Sequence, residues 1–360
     1  MSLALVTAGE SHGPALVGIV TGLPAGLVLD RGAIDADLAR RQQGYGRSPR
    51  QKLEQDTVEV LAGLRHGRTL GTPLALVVRN RDHENWAWGM SPWPPAWEPS
   101  GKGTRPVTLP RPGHADLAGA LKYGLADARD ALERASARQT AVAVAAGAVA
   151  KALLAEIDAE VAGRVVDKDF EQRIDKARAE RDTVGGVVEV RAQGVPPGLG
   201  SYASKEDRLD ARLGAALMGI QAVKGVEIGA GFELAERRGS EAHDEILADA
   251  DGNLHRETNF AGGIEGGVSN GEPVVVRAAM KPLPTLMRPL RSIDLESGDA
   301  GEALVERSDV AAVEALAVVA EAAVAFELAG AAREKFGGDS IADFIAAWRA
   351  YLERIPWRTH

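Results

Sequence analysis

The sequence predicts an α+β fold of two similar halves packed about a pseudo-twofold axis, with Ala-rich helices as a buried central layer under strand-rich faces. Three observations predict it. A strand, a Gly/Pro turn and a helical pattern follow one another twice. A Gly-spaced segment running into a strand also occurs twice. Each half then closes on a long Ala-rich stretch, and alanine combines the best helix propensity with close helix approach.

The elements follow in order. A short apolar strand leads into Gly9–Gly13. The strand Ala15–Val20 meets Gly22-Leu23-Pro24-Ala25-Gly26 and a helical pattern over Ile34–Arg41. Its counterpart, Val187–Val190, meets Gly194-Val195-Pro196-Pro197-Gly198 and a helical pattern over Leu209–Met218. Gly63, Gly67, Gly71 and Pro73 precede the strand Leu74–Val78; Gly263, Gly267, Gly271 and Pro273 precede Val274–Arg277. Ala131–Arg134 introduces the Ala-rich helix Thr140–Ile157, and Ala303–Arg307 introduces Val310–Phe336. Asp158–Asp182 is charged and reads as a surface helix or connection. Trp86–Trp97, with four tryptophans and three prolines, reads as a long ordered loop. The two halves span about 1–160 and 183–340 of one 360-residue domain, and Trp348–His360 forms a short amphipathic tail.

Composition narrows the function. A net charge of −9 argues against a general nucleic-acid binder. The absence of cysteine excludes disulfides, thiolate metal sites and a Cys nucleophile. MSLALVTAGES lacks the basic start and apolar run of a signal peptide. Lys151 interrupts Ala141–Leu154, and Glu314 and Glu321 interrupt Val310–Ala325, so neither stretch gives the roughly 20 uninterrupted apolar residues of a membrane span. A cytoplasmic protein without membrane or nucleic-acid partners is expected.

Chemistry concentrates at a few junctions. Glu10, Ser11 and His12 stand between two glycines after the first strand, and His is the side chain best placed to move protons near neutrality. Four arginines (Arg40, Arg41, Arg47, Arg50) surround a Gly-Tyr-Gly turn, a fork suited to phosphate or carboxylate. Arg111-Pro112-Gly113-His114-Ala115-Asp116 places a second histidine beside an arginine, with Asp116 available to cap the next helix. Arg134, Ser136 and Arg138 stand at the entrance of a buried helix, where arginines are costly without an anion. Lys281-Pro282-Leu283-Pro284-Thr285 and Arg307-Ser308-Asp309 repeat the pattern; Asp309 reads equally as a reactive carboxylate or as the partner of a nearby arginine. Cations recurring at distant loops of an acidic chain point to one anionic pocket. Gly101-Lys102 misses the phosphate-loop spacing, Gly229-Ala230-Gly231 lacks the third glycine of a dinucleotide fingerprint, and the histidines lack metal-ligand spacing. His66, His83, His243 and His255 read as surface or structural groups.

GESHG, ARRQQGYGR, RPGHAD, ERASARQT, QAVKGVEIG, GGIEGGVSNG, AAMKPLPTL and VERSDV occur in the order seen in chorismate synthases. The chain resembles that family from Thr7 to about Gly338. The resemblance implies two antiparallel sheets flanking the helical layer, a homotetramer, and a lyase of the shikimate pathway. It would eliminate phosphate and a ring proton from 5-enolpyruvylshikimate 3-phosphate, giving chorismate, with reduced FMN (FMNH2). By the same resemblance His12 and His114 match the proton donors to flavin and departing phosphate, and Asp309 the carboxylate that helps move the ring proton. Arg41 and Arg47 match positions assigned to NADP or substrate, and Arg50, Arg111 and Arg138 further substrate contacts. Arg134, Ala135, Ser136, Gln221, Ala222, Gly266, Lys281, Pro282, Leu283, Pro284, Thr285 and Arg307 match FMN-contacting positions. No metal is implied.

The chain departs from the common pattern at Gln51, Ala143, Phe260 and Glu314, none of them among these residues. With no reductase domain or dinucleotide fingerprint, an external flavin reductant is expected. Two other classes are weighed. A non-catalytic flavin- or anion-binding module needs the arginines but not both histidines. An RNA binder using Arg40–Arg50 needs a basic balance that this chain lacks.

Overall fold

The computed structural model describes residues 2–47, 55–250, 252–305 and 309–355. Arg50, Gln51 and Arg307 therefore lie outside the described residues.

In the first half, β1 (Ala4–Ala8) and β2 (Ala15–Thr21) precede helix α1 (Arg31–Gln42), which Asp30 caps by accepting from the Gly32 N–H. Then come β3 (Val58–Ala62), the hairpin β4 (Leu64–Arg65) and β5 (Arg68–Thr69), and β6 (Leu74–Arg79). A 3-10 turn over Arg81–Trp86 opens the Trp-rich segment. Helices α2 (Asp116–Tyr123), α3 (Arg129–Ala135) and α4 (Thr140–Ala155) follow.

The second half runs through β7 (Glu160–Val165), α5 (Phe170–Glu180), β8 (Gly186–Gln193), α6 (Leu209–Met218) and β9 (Val223–Ile228). The one-turn α7 (Gly239–Ala242) and the hairpins β10 (Ile246–Ala248)–β11 (Leu254–Arg256) and β12 (Ile264–Glu265)–β13 (Val268–Ser269) lead to β14 (Val274–Met280). A last hairpin, β15 (Arg291–Ile293)–β16 (Ala300–Glu302), precedes α8 (Val313–Phe336) and α9 (Ile341–Arg354). The mixture of helices and antiparallel sheets is α+β.

Two four-stranded antiparallel sheets carry the strands in the orders β1-β2-β6-β3 and β7-β8-β14-β9. The first sheet packs on α4, α4 packs along α8, and α8 packs on the second sheet. Alternation explains the contact: Leu16 and Val20 of β2 and Leu74, Leu76 and Val78 of β6 are fully buried. A helix apolar all round belongs in a core, and α4 and α8 are buried on most of their faces. At Gly147 a Cβ would stand 2.3 Å from the Ala322 Cβ, so only glycine permits this helix approach. Arg129–Ala155 and Val313–Phe336 are long and apolar enough to cross a membrane, but 67% and 83% of their apolar windows are buried inside the fold. Core packing accounts for their composition.

A carboxylate buried in that layer is paired. Glu321 on α8 accepts from Arg40 of α1, Lys151 of α4 and the Gly163 N–H of β7. Burial alone would raise its carboxyl, but the hydrogen bonds from Arg40 and Lys151 outweigh burial and hold it below the usual range. The segment 158–182 differs from its sequence reading. It holds α5 but also β7, an edge strand whose Glu160 and Arg164 dilute the apolar alternation. The C-terminal end also differs: α9 starts at Ile341 behind a Ser340–Asp343 capping box and buries Phe344 and Trp348.

Candidate active site

The turn after β1 builds the first part of the site. Gly9 has φ +115° and a Cβ there would meet the Ala15 carbonyl at 2.5 Å, so the chain reverses tightly into Glu10–Gly13. His12 is buried. Its backbone N–H donates to Glu133 Oε2 at 2.9 Å, and its ring Nδ1 lies 2.9 and 3.0 Å from the two Glu133 oxygens. The Ser11 N–H donates to the Glu133 carbonyl at 3.0 Å. The His12 ring stacks on Trp86, with centroids 4.0 Å apart and planes at 19°. His83 Nδ1 lies 2.9 Å from the His12 carbonyl, a structural contact as its sequence reading expects.

The arginines of the α3–α4 junction face the same turn. Arg134 donates to the Thr7 and Gly9 carbonyls and to the Thr7 hydroxyl. Ser136, beside Ala135, donates to the Ser11 hydroxyl at 3.2 Å. Arg138 donates to Asp56 at 2.7 Å and Asn80 at 2.8 Å. Arg41, at the end of α1, donates to Thr140 at 2.9 Å and to the same Asp56 oxygen at 3.2 Å. Protein acceptors therefore meet these buried cations, where the sequence reading expects a bound anion. Burial lowers the Arg41 guanidinium to about 10 despite Asp56, with Arg138 and Arg47 adding repulsion. Burial also lowers Arg47, against the attraction of Asp309 and Glu314. Arg47 pairs with Asp309 at 2.8 Å.

A second cluster gathers around His114. Arg111 Nε and Nη2 donate to the two Asp116 oxygens at 2.8 and 3.1 Å, Nη1 donates to Thr285 at 3.1 Å, and His114 Nδ1 lies against Asp116 Oδ1. Burial alone would raise the Asp116 carboxyl, but hydrogen bonds from His114 and Arg111 outweigh it and hold it well below the usual range. Asp116 does not cap α2: its side chain accepts the Arg111 N–H instead, and the cap position, Ala115, has no side-chain bond. The Lys281 ammonium donates to the Gly113 carbonyl. Its pKa is lowered by burial and by the neighbouring cation Lys224.

The remaining candidates are placed by the backbone. The Lys281 N–H donates to the Ala222 carbonyl at 3.0 Å, so Gln221-Ala222 lies beside the segment after β14. Ala222 itself has φ +70°, an uncommon conformation for a residue with a Cβ. Thr183 donates to the Leu283 carbonyl, and a Cβ on Gly113 would stand 3.8 Å from Pro284. Pro282, between Lys281 and Leu283, is exposed. Gly266 makes the turn of the β12–β13 hairpin, and among the described residues no hydrogen bond brings it to the His114 cluster.

The family model for chorismate synthase matches residues 3–169 and 165–332. The chain belongs to the chorismate synthase family. A chorismate synthase of Desulforudis audaxviator is 53% identical, with 98% of each chain covered. One of Pelobacter propionicus is 51% identical over 98% of this chain and 99% of that relative. A crystal structure of chorismate synthase superposes with a TM-score of 0.77 at 36% identity, covering 99% of this chain and 98% of that one. The chain is thus an enzyme of the chorismate synthase family.

Sequence reasoning missed several groups in the site of this chorismate synthase family member. Glu133 carried a signal, an acid four residues after Arg129 inside the ERAS segment. Asp56 and Asn80 carried none, because their partners lie 82 and 58 residues away at Arg138. Trp86 was read as loop, yet it is buried under His12.

Proposed function

We propose that this chain converts 5-enolpyruvylshikimate 3-phosphate to chorismate and phosphate by 1,4-trans elimination, with reduced FMN, in the shikimate pathway. The observation that carries the reading is a pair of histidines, each fixed at Nδ1 by a carboxylate and set among arginines and a lysine. A substrate with one phosphate and two carboxylates is the kind of anion that such a set of cations binds. His12 is the proton donor on the flavin side and His114 the donor to the departing phosphate oxygen. Arg111 and Arg138, with Arg41 and Arg47, orient the anionic substrate, and Arg50 joins them from outside the described residues. Asp309, held by Arg47, takes the ring proton in the direction of the cofactor.

The residues present fit an anionic flavin. Burial, and after it the repulsion of Lys224, depresses the Lys281 ammonium, and a phosphate relieves such a pair of cations. Lys281–Thr285, Gln221-Ala222, Ala135-Ser136, Gly266 and, outside the described residues, Arg307 would hold it. Arg134 would act indirectly, by fixing the end of β1. When bound, the reduced cofactor supplies transient electron density to an elimination that has no net redox change.

We further infer a single catalytic domain made of two duplicated halves, about 1–160 and 183–340, since both sheets order their strands alike. A homotetramer, a cytoplasmic location and an external flavin reductant complete the reading. The non-catalytic flavin- or anion-binding module weighed from the sequence is set aside, because the chain belongs to a family of enzymes. Anaerobic incubation with the enolpyruvyl substrate should yield chorismate and phosphate with reduced FMN and neither product with oxidised FMN. Product formation with oxidised FMN, or none with reduced FMN, would overturn this reading.

A further inference from the structure

We propose that Glu133 is a positioning residue for His12: it keeps one ring proton on Nδ1, so that the proton His12 donates is the second one, carried on Nε2 by the imidazolium and released there to leave the neutral Nδ1–H ring. The proposal rests on the reading of His12 as a proton donor. An ionised carboxylate only accepts hydrogen bonds. Both the His12 backbone N–H, at 2.9 Å, and the ring Nδ1, at 2.9 and 3.0 Å, lie on the Glu133 carboxylate, so each donates to it. Glu133 is 2% exposed, and its position on α3 is set by its own carbonyl, which receives the Ser11 N–H. The carboxylate and backbone of one residue thus hold two consecutive residues of the opposite turn.

The ring plane is fixed as well. The Trp86 ring stacks on the His12 ring, with centroids 4.0 Å apart, and also meets the Arg129 guanidinium, 4.9 Å from its centroid. Arg129 also stands 3.5 Å from Glu133 Oε1, and its Nε and Nη1 are buried without a hydrogen bond. Among the described residues, Glu133 and Arg129 from α3, His83 and Asp82 from the 3-10 turn, and Lys102 are charged or titratable groups that meet His12 or the Trp86 ring stacked on it. Buried polar groups that orient a catalytic imidazole select its tautomer.

Glu133→Gln keeps the size and one carbonyl for the His12 N–H, but its amide N–H can donate to Nδ1 and select the other tautomer. The experiment is a long-range proton–nitrogen spectrum of histidine-labelled protein without flavin, with His12→Ala assigning the signal, beside anaerobic kinetics with reduced FMN. With its ring neutral, the parent should show the Nδ1–H tautomer at His12. Glu133→Gln should show Nε2–H and lose at least about 100-fold in kcat with KM within about threefold. Glu133→Asp, which keeps the carboxylate, should retain Nδ1–H and recover turnover to within about tenfold of the parent. An Nε2–H tautomer in the parent overturns the proposal even where the amide variant does not fold. So does Glu133→Gln at parental kcat while His12→Ala is inactive. Parental turnover in His12→Ala instead overturns the donor reading beneath it.

Discussion

His12 takes its side-chain partners from 71 and 121 residues away, at His83 and Glu133, whereas His114 takes Arg111 and Asp116 from three and two residues away. Both imidazoles end with Nδ1 against a carboxylate. The His114 arrangement is written into one turn, and α2 begins on its carboxylate. The His12 arrangement exists only once β1, the 3-10 turn and α3 have met. The same device is therefore local in one case and a product of the whole fold in the other. A change to the His114 cluster should act through charge, and a change around His12 through geometry.

The largest effect on stability is expected where the local cluster is deepest. Asp116→Ala strands the Arg111 guanidinium, buried with Asp116 fully covered, and should cost about 3–5 kcal/mol in urea unfolding at neutral pH. A loss below about 1 kcal/mol would mean that Thr285 and His114 suffice for Arg111 and that the charge pair is dispensable.

A smaller effect tests the long-range side. His83→Ala deletes the donor to the His12 carbonyl and should cost about 0.5–1.5 kcal/mol, with the denaturant slope unchanged. A cost equal to that of Asp116→Ala would reverse the contrast between charge and geometry.

The smallest effect is pH-dependent. Burial alone would raise the Asp82 carboxyl, but hydrogen bonds from Asn85, Lys102 and Trp86 bring it down from 3.8 to about 2. A depressed folded value means that its contribution is complete above the unfolded value and is lost as pH falls from about 4 to 2. Asp82 is partly exposed, so the change is modest. Tryptophan fluorescence during acid titration should show Asp82→Asn losing less stability than the parent across that window.

What the sequence made legible follows the same division. Leu209–Met218 was read with the bounds that the structure gives, and the inner strands β2, β6, β8 and β14 were read as strands. Of these, β2 and β6 were read to within one residue, while the readings of β8 and β14 stopped at Val190 and Arg277 and covered about half of each. All four bury a face or lie centrally, so their apolar content survives alone. The outer strands β3, β7 and β9 were not read. They bury less and carry Glu59, Glu160, Arg164, Lys224 and Glu227, which blur the alternation. In the site, both histidines and the arginines stood out because Gly and Pro mark their loops. Asp56, Asn80 and the use of Glu133 did not, because a buried acid announces itself only through a partner that folding brings to it.

Anaerobic turnover of 5-enolpyruvylshikimate 3-phosphate with reduced FMN, measured as chorismate for the parent, His12→Ala and His114→Ala, tests the central claim most directly. Both variants should fold and bind flavin yet lose about 10²–10⁴-fold in kcat, because each removes one positioned proton donor, whichever way the fold holds it. Chorismate formation within about threefold of the parent in both variants would contradict it.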